Sequence, residues 1–336
     1  MQTSILHHYS PAYGGAFRQG ASGWNNTTYF IEGRHRRSVL RIYETHRDKA
    51  KIRFEHAVLQ ALNELDLSFR VPQPVWTIDR QTLVRLEDGT GRYACMFEYI
   101  EGIRPQGEEG RAAYSFGEAA GEMLLGLAEI DPGVEPSYPP YYELLQSYPA
   151  CTREVVLNFC ERPLEPFRDL QESLTELRQA YTDILQQLAG LEKLPQQLVH
   201  GDLNYSNLLV DERNPSQVTA LLDFEFCTRD VRAMEPAVII SGLLGQGAAE
   251  DREALKRFCQ GFGSRIRLAA EEVAAIPVLM RLRQIDVFLH FMSRFLQGTD
   301  GPEVLREQIR LITAELRQLE TGGEWYKESL ANYIQV

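Results

Sequence analysis

The feature that most constrains this chain is a change of texture at Glu101-Gly102. Before it, from about residue 15 to 43, AFRQGASGWNNTTYFIEGRHRRSVLRIY reads as strand, glycine-bearing turn, strand, tight turn at Glu32-Gly33, and strand. RDKAKIRFEHAVLQALNEL then places Ile52, Val58, Leu59, Leu62 and Leu65 on one apolar stripe at helical spacing. VPQPVWTI, with two prolines, is a connector, and QTLVRLE and RYACMFEYI read as two further strands. Beyond Gly102 the periodicity is helical, in SFGEAAGEMLLGLAEI, DLQESLTELRQAYTDILQQLAGLE, DREALKRFCQGF, EEVAAIPVLMRLRQIDVFLHFMSRFLQ and EVLREQIRLITAELRQLE. The expectation is an α+β chain in two lobes. Residues 1–102 form a small antiparallel sheet with one inserted helix, and 103–336 form a larger, mainly helical lobe with one short β-hairpin. A hinge is expected near Glu98–Gly102.

Composition narrows the functional classes. The 336 residues exceed one typical core and suit two domains. With 44% hydrophobic and 24% charged residues the chain is ordinary globular protein, neither disordered nor fibrous. A net charge of −12 argues against a nucleic-acid partner, which demands a basic face, and permits a cationic small substrate or a metal. The five cysteines are scattered without a C-x-x-C pair, so neither a disulfide framework nor structural zinc is indicated. MQTSILHHYSPAYGG lacks the basic-then-apolar pattern of a signal peptide, and no apolar run approaches the roughly 18 residues of a membrane span. The expectation is a cytoplasmic protein with reduced thiols and no membrane partner.

Two short stretches carry the chemistry: LVHGDLNYSNLLV, residues 198–210, and ALLDFEF, residues 220–226. Phosphoryl transfer from ATP needs a carboxylate to take the acceptor's hydroxyl proton, oxygen ligands for Mg²⁺, and a cation on the phosphates. Kinase catalytic loops supply the first two as H-x-D followed, five residues after the Asp, by Asn. His200-Gly201-Asp202 followed by Asn207 has that spacing. A second metal carboxylate belongs on the next hairpin strand after an apolar run, where Asp223 stands. Mg²⁺ is a hard, octahedral ion that takes one or two protein oxygens plus phosphate and water, and Asn207 with Asp223 supply such a pair.

With these residues, H-G-D-L-x-x-x-N-L-L-V followed by L-L-D-F-E, the chain resembles the aminoglycoside phosphotransferase/choline kinase-like family, which includes bacterial homoserine kinases. The resemblance implies a protein kinase-like bilobal fold and ATP-dependent transfer of the γ-phosphoryl group to a small-molecule hydroxyl. It implies Asp202 as the catalytic carboxylate, Asn207 and Asp223 as magnesium ligands, and His200 as a brace for the loop. The phosphate-binding cation, Lys in the V-A-I-K of protein kinases, is Arg41 of SVLRIY here, and Arg can still bind phosphate through two donors. Its helix partner is Glu55. The phosphate-covering loop is RQGASGWNN, with Gly20, Ser22 and Gly23 letting backbone N–H groups approach phosphate. The adenine is expected against MFEYIEG, edge-bonded near Glu98 and Ile100 with Met96 behind it. Glu225, where protein kinases have Gly, is a candidate second carboxylate near the metal, and Asp230 and Glu235 are candidate braces.

Relatives of this kind act on aminoglycosides, choline-like amino alcohols, homoserine or sugars, so the acceptor stays open. Two other readings stay open as well. One is a kinase acting on proteins, although the helical lobe has no A-P-E segment. The other is a nucleotide-binding regulator without turnover.

Overall fold

The computed structural model describes residues 5–20, 26–34, 36–44, 48–105, 109–244, 249–321 and 323–336. The chain packs as two compact units. The first comprises Met1–Pro105 with Glu129–Ser137 and Asn207–Phe226, and the second comprises Gln106–Ala128, Tyr138–Ser206 and Cys227–Val336.

The first unit is built on an antiparallel sheet in the order β1-β2-β3-β5-β4. Its strands are β1 (Gly15–Gln19), β2 (Asn26–Gly33), β3 (Arg37–Tyr43), β4 (Val84–Arg85) and β5 (Tyr93–Glu98). β4 is shorter than its apolar pattern suggests, pairing only Val84 with Ala94 and Arg85 with Tyr93 at the sheet edge. Strand alternation sorts the side chains of β3. Leu40 and Ile42 join Ile31, Ala94, Met96 and the N-terminal Ile5 and Tyr9 in a core on one face. Arg41 and Tyr43 point to the other face, where the helix Lys49–Asn63 packs through Glu55 and His56. Asp48 starts that helix by accepting a hydrogen bond from the Ala50 N–H at 2.8 Å. The expected stripe is buried at Ile52, Val58, Leu59 and Leu62, while Leu65 lies beyond the helix end.

The hairpin of Leu208–Val210 and Val218–Leu221, grouped by sequence with the helical region, packs within the first unit instead. Backbone bonding explains why. Ile103 and Val210 exchange N–H···O bonds of 3.0 and 2.8 Å, and Arg70 bonds Thr219 and Leu221 on the hairpin's other side. Gly102 sits at this junction with φ of 143°, and a Cβ there would lie 2.9 Å from that of Leu209. A side chain is excluded at the very residue where the sequence changes texture.

The second unit is mainly helical. The long helix Ala270–Leu296 packs against Gln171–Leu191, Met234–Leu243 and Pro302–Thr321. The helix Met234–Leu243 is absent from the sequence expectation because nearly every residue of it is buried, which leaves no polar face to reveal a period. Arg153–Glu161, capped by Thr152, is missing too, being only nine residues long. A two-stranded ladder of Gln196–Val199 with Thr228–Val231 completes the unit. All five cysteines are buried and free of disulfides. Among the described residues no helix is long and apolar enough to cross a membrane.

Candidate active site

The first unit gathers one group of predicted residues around Arg41. In β3, Arg41 lies opposite Thr28 on one side and Cys95 on the other. Its Nη1 is 2.9 Å from Glu55 Oε1 and 3.3 Å from Asp223 Oδ1. Glu55 is only 2% exposed, and its Oε2 accepts a second bond from the Tyr43 hydroxyl at 3.0 Å. Burial works against the guanidinium charge, yet the neighbouring Asp223 and Glu55 carboxylates hold Arg41 firmly protonated. The helix partner expected for the cation is therefore in contact with it.

Asp223 follows the second hairpin strand with φ of 69°, a left-handed backbone rare outside glycine and costing about 1 kcal/mol. Although ion-paired with Arg41, its Oδ1 is buried with no hydrogen-bond partner among the described residues. Asn207 is fixed beside it, since its carbonyl accepts the Leu222 N–H at 2.7 Å. A buried carboxylate oxygen without a hydrogen bond among the described residues, one residue along from the backbone that Asn207 bonds, suits a hard divalent cation completed by phosphate and water. Among the described residues no three His, Cys, Asp or Glu side chains form a closed metal cage. Glu225 turns toward β2, where its Oε2 accepts from Asn26 Nδ2 at 2.9 Å. The Oδ1 of Asn26 is itself buried without a hydrogen-bond partner among the described residues.

The other first-unit candidates are dispersed. Met96 is fully buried with Leu40 on the face opposite Arg41, whereas Cys95 and Phe97 share the Arg41 face. Glu98 donates its N–H to Gln73, and its side chain accepts from Tyr13 and Arg36. Ile100 lies just past the end of β5. Gly20 donates its N–H to Thr28 at 2.8 Å, and a Cβ there would press on the Phe30 ring at 2.9 Å. Ser22 and Gly23 fall outside the described residues.

The second unit carries the loop with Asp202. Gly201 has φ of 80°, a conformation that favours glycine and turns the chain after the buried His200. The loop is pinned from behind by Glu235, fully buried at the start of Met234–Leu243. Glu235 Oε2 accepts the N–H groups of His200 at 2.6 Å and Gly201 at 3.2 Å. His200 Nδ1 in turn accepts from the Asp202 N–H at 3.3 Å. Asn204 serves the loop itself, its side chain accepting from Ser206. Asp230 accepts from the Tyr141 and Val231 N–H groups, and burial pushes its carboxyl up to about 7.

Sequence reasoning missed the partner of Asp202. Arg283, on Ala270–Leu296, donates from Nη2 to Asp202 Oδ1 at 2.5 Å. Its Nη1 lies 3.7 Å from Asp286, and its guanidinium stands 5.9 Å from the centre of the Tyr141 ring. Tyr141 donates its hydroxyl to the Gly201 carbonyl at 2.7 Å, and Tyr148 bonds the Asp286 carboxylate. Burial raises Asp286 to about 6, although Arg283 opposes the rise. The available signal was Arg283 and Asp286 three residues apart in the apolar stretch LMRLRQIDVFLHF, where paired charges have no place unless they meet something.

Known proteins resemble this chain in sequence and in fold. The phosphotransferase enzyme family model matches residues 16–274. A homoserine kinase of Beijerinckia indica is 26% identical over 78% of this chain and 75% of its own length. A homoserine kinase of Allorhizobium ampelinum is 22% identical over 96% of this chain and 94% of its own. Among solved structures, the microcompartment-associated aminopropanol kinase superposes with a TM-score of 0.72 at 20% identity, covering 97% of this chain and 98% of its own. Amicoumacin kinase hAmiN, solved with AMP-PNP, Ca²⁺ and Ami, gives 0.67 at 17% identity over 96% and 92%. The fold is the protein kinase-like one expected, with its antiparallel sheet and mainly helical remainder. The chain belongs to the phosphotransferase enzyme family and is a small-molecule kinase acting on a hydroxyl group.

Proposed function

We propose that the donor is ATP with Mg²⁺ and that the transfer runs in line from the γ-phosphoryl group to a hydroxyl held at Asp202. The observation that carries the reading is Arg41, one cation held between the buried Glu55 and the Oδ1 of Asp223. That is the arrangement needed to place positive charge on a polyphosphate next to a metal ligand. Asn207 and Asp223 would hold the metal, which would neutralise phosphate charge. Asp202 takes the proton as the acceptor oxygen bonds the γ-phosphorus. The bond from that phosphorus to the bridging oxygen breaks, and ADP leaves with its electron pair. Glu235, through the His200 and Gly201 N–H groups, fixes the loop that presents Asp202. The turn entered at Gly20 covers the phosphates, and the adenine edge is read near Glu98 and Ile100. An ATP-consuming enzyme of this kind works in the cytoplasm.

The test is incubation with ATP, Mg²⁺ and a panel of amino alcohols, hydroxy amino acids, aminoglycosides and casein, following ADP release and the mass of the acceptor. Acceptor-dependent ADP release with an acceptor 80 Da heavier, the mass that replacement of a proton by a phosphoryl group adds, is expected for a small molecule. Nucleotide binding without turnover on any acceptor overturns the reading in favour of a regulator. Transfer to casein alone overturns it in favour of a protein kinase.

A further inference from the structure

The contact that the proposed reaction leaves unexplained is the ion pair between Arg283 and Asp202. A carboxylate that accepts a hydroxyl proton needs a free lone pair aimed at the acceptor. Here a guanidinium already occupies Oδ1 at 2.5 Å in a charge-assisted bond, among the strongest a side chain makes. Oδ2 remains for the acceptor hydroxyl, but a guanidinium on Oδ1 draws the carboxylate's charge away from it, so giving Arg283 another anion returns that charge to Asp202. The same guanidinium faces Asp286 at 3.7 Å, and Glu315 of Pro302–Thr321 also senses its charge. Both positions are fixed: Asp286 by Tyr148, Arg283 by the Tyr141 ring, and Tyr141 by the Gly201 carbonyl. The cluster is nevertheless open to a ligand, with side chains 22% exposed at Arg283, 24% at Asp202 and 14% at Asp286.

Resting on the phosphotransferase reading above, we propose that the acceptor is a short hydroxy amino acid, its carboxylate bound by Arg283, its ammonium by Asp286 and its hydroxyl by Asp202. The acceptor's carboxylate draws Arg283 from Asp202, so binding of the correct molecule returns negative charge to the carboxylate that engages its hydroxyl. Size follows from the same geometry. One guanidinium reaches both carboxylates, so the hydroxyl and ammonium sites lie within a few bonds of each other. A polycationic sugar has no carboxylate to offer and brings its charge against Arg283. An amino alcohol satisfies Asp286 and leaves Arg283 on Asp202.

Matched pairs that differ only in the carboxylate test this directly: L-homoserine with 3-aminopropan-1-ol, and L-threonine with 1-aminopropan-2-ol. Initial rates with Mg·ATP give kcat/KM for each, with a kanamycin-type aminoglycoside as a further acceptor. In at least one pair the amino acid is expected to exceed its amino alcohol by roughly 10²-fold, below the 10⁴–10⁵ of fully buried recognition because Arg283 is partly solvated. In Arg283→Met that ratio is expected to fall to within a few fold of one, and in Asp286→Asn both members of the pair are expected to weaken together. A second readout needs no variant: at equal concentration the amino acid raises the wild-type unfolding midpoint more than its amino alcohol does. An amino alcohol or aminoglycoside used in preference, or a ratio unchanged in a folded Arg283→Met protein, overturns this assignment and leaves the phosphotransferase reading intact. Absence of ADP release with every acceptor tried overturns that reading itself.

Discussion

Replacing Arg41 by methionine removes the one cation from between two carboxylates, and the structure sets the size of the effect. Glu55 is 2% exposed and bonded to Arg41 at 2.9 Å, so the variant leaves a buried carboxylate whose charge nothing compensates. Breaking a buried pair from one side typically costs 3–5 kcal/mol. The Tyr43 hydroxyl still donates to Glu55, which moves the expectation to the lower end, about 3 kcal/mol. That is a large share of the 5–15 kcal/mol by which whole proteins are stable. Arg41→Lys behaves differently. Both carboxylates are reached from a single nitrogen, Nη1, so the ammonium of lysine can replace it, and a loss of no more than about 1 kcal/mol is expected. Urea denaturation of wild type, Arg41→Met, Arg41→Lys, Glu55→Gln and the Arg41→Met/Glu55→Gln pair reads these terms. The cycle should give a coupling of roughly 2 kcal/mol or more, with the double variant more stable than Arg41→Met. A loss below 1 kcal/mol in Arg41→Met, or no coupling, refutes the reasoning.

Three further outcomes follow from the geometry. Asp223→Asn removes the carboxylate but keeps a residue that tolerates φ of 69°, so stability within about 1 kcal/mol and an Mg²⁺-dependent rate lower by roughly 10² are expected from denaturation and initial rates. Glu235→Ala strands the buried N–H groups of His200 and Gly201, with an expected loss of about 2–4 kcal/mol by urea denaturation and a parallel fall in kcat. His56 is 2% exposed, and burial lowers its pKa to about 3. The folded state therefore binds fewer protons than the unfolded chain between about 6.5 and 3, and stability falls as the pH drops through that window by up to about 1.4 kcal/mol per unit. Denaturation midpoints against pH should flatten there in His56→Phe.

Much of this was legible because periodicity and spacing are local. The strand alternation of β2 and β3, the amphipathic helix Lys49–Asn63 and the five-residue interval from Asp202 to Asn207 are all written within a few residues of each other. The pairing of Arg41 with Glu55 came from the resemblance to the family, and the structure shows the contact. What stayed hidden depends on distant packing. Met234–Leu243 is buried on all sides and has no period to read. The hairpin Leu208–Leu221 joins the first unit through backbone bonds to Ile103 and Arg70, which no side-chain pattern records. Arg283 meets Asp202 across 81 residues, so only its unlikely place on an apolar helix marked it. Met96 fell on the face away from Arg41 because its register partner in β3 is Leu40.

The central claim is that Asp202 engages the acceptor hydroxyl in a phosphoryl transfer. The most direct measurement is acceptor-dependent ADP release by Asp202→Asn, paired with its affinity for Mg·AMP-PNP. The account predicts a fall in kcat of roughly 10²–10⁴ with nucleotide affinity held within a few fold of wild type. A folded Asp202→Asn protein that turns over within tenfold of wild type would contradict it.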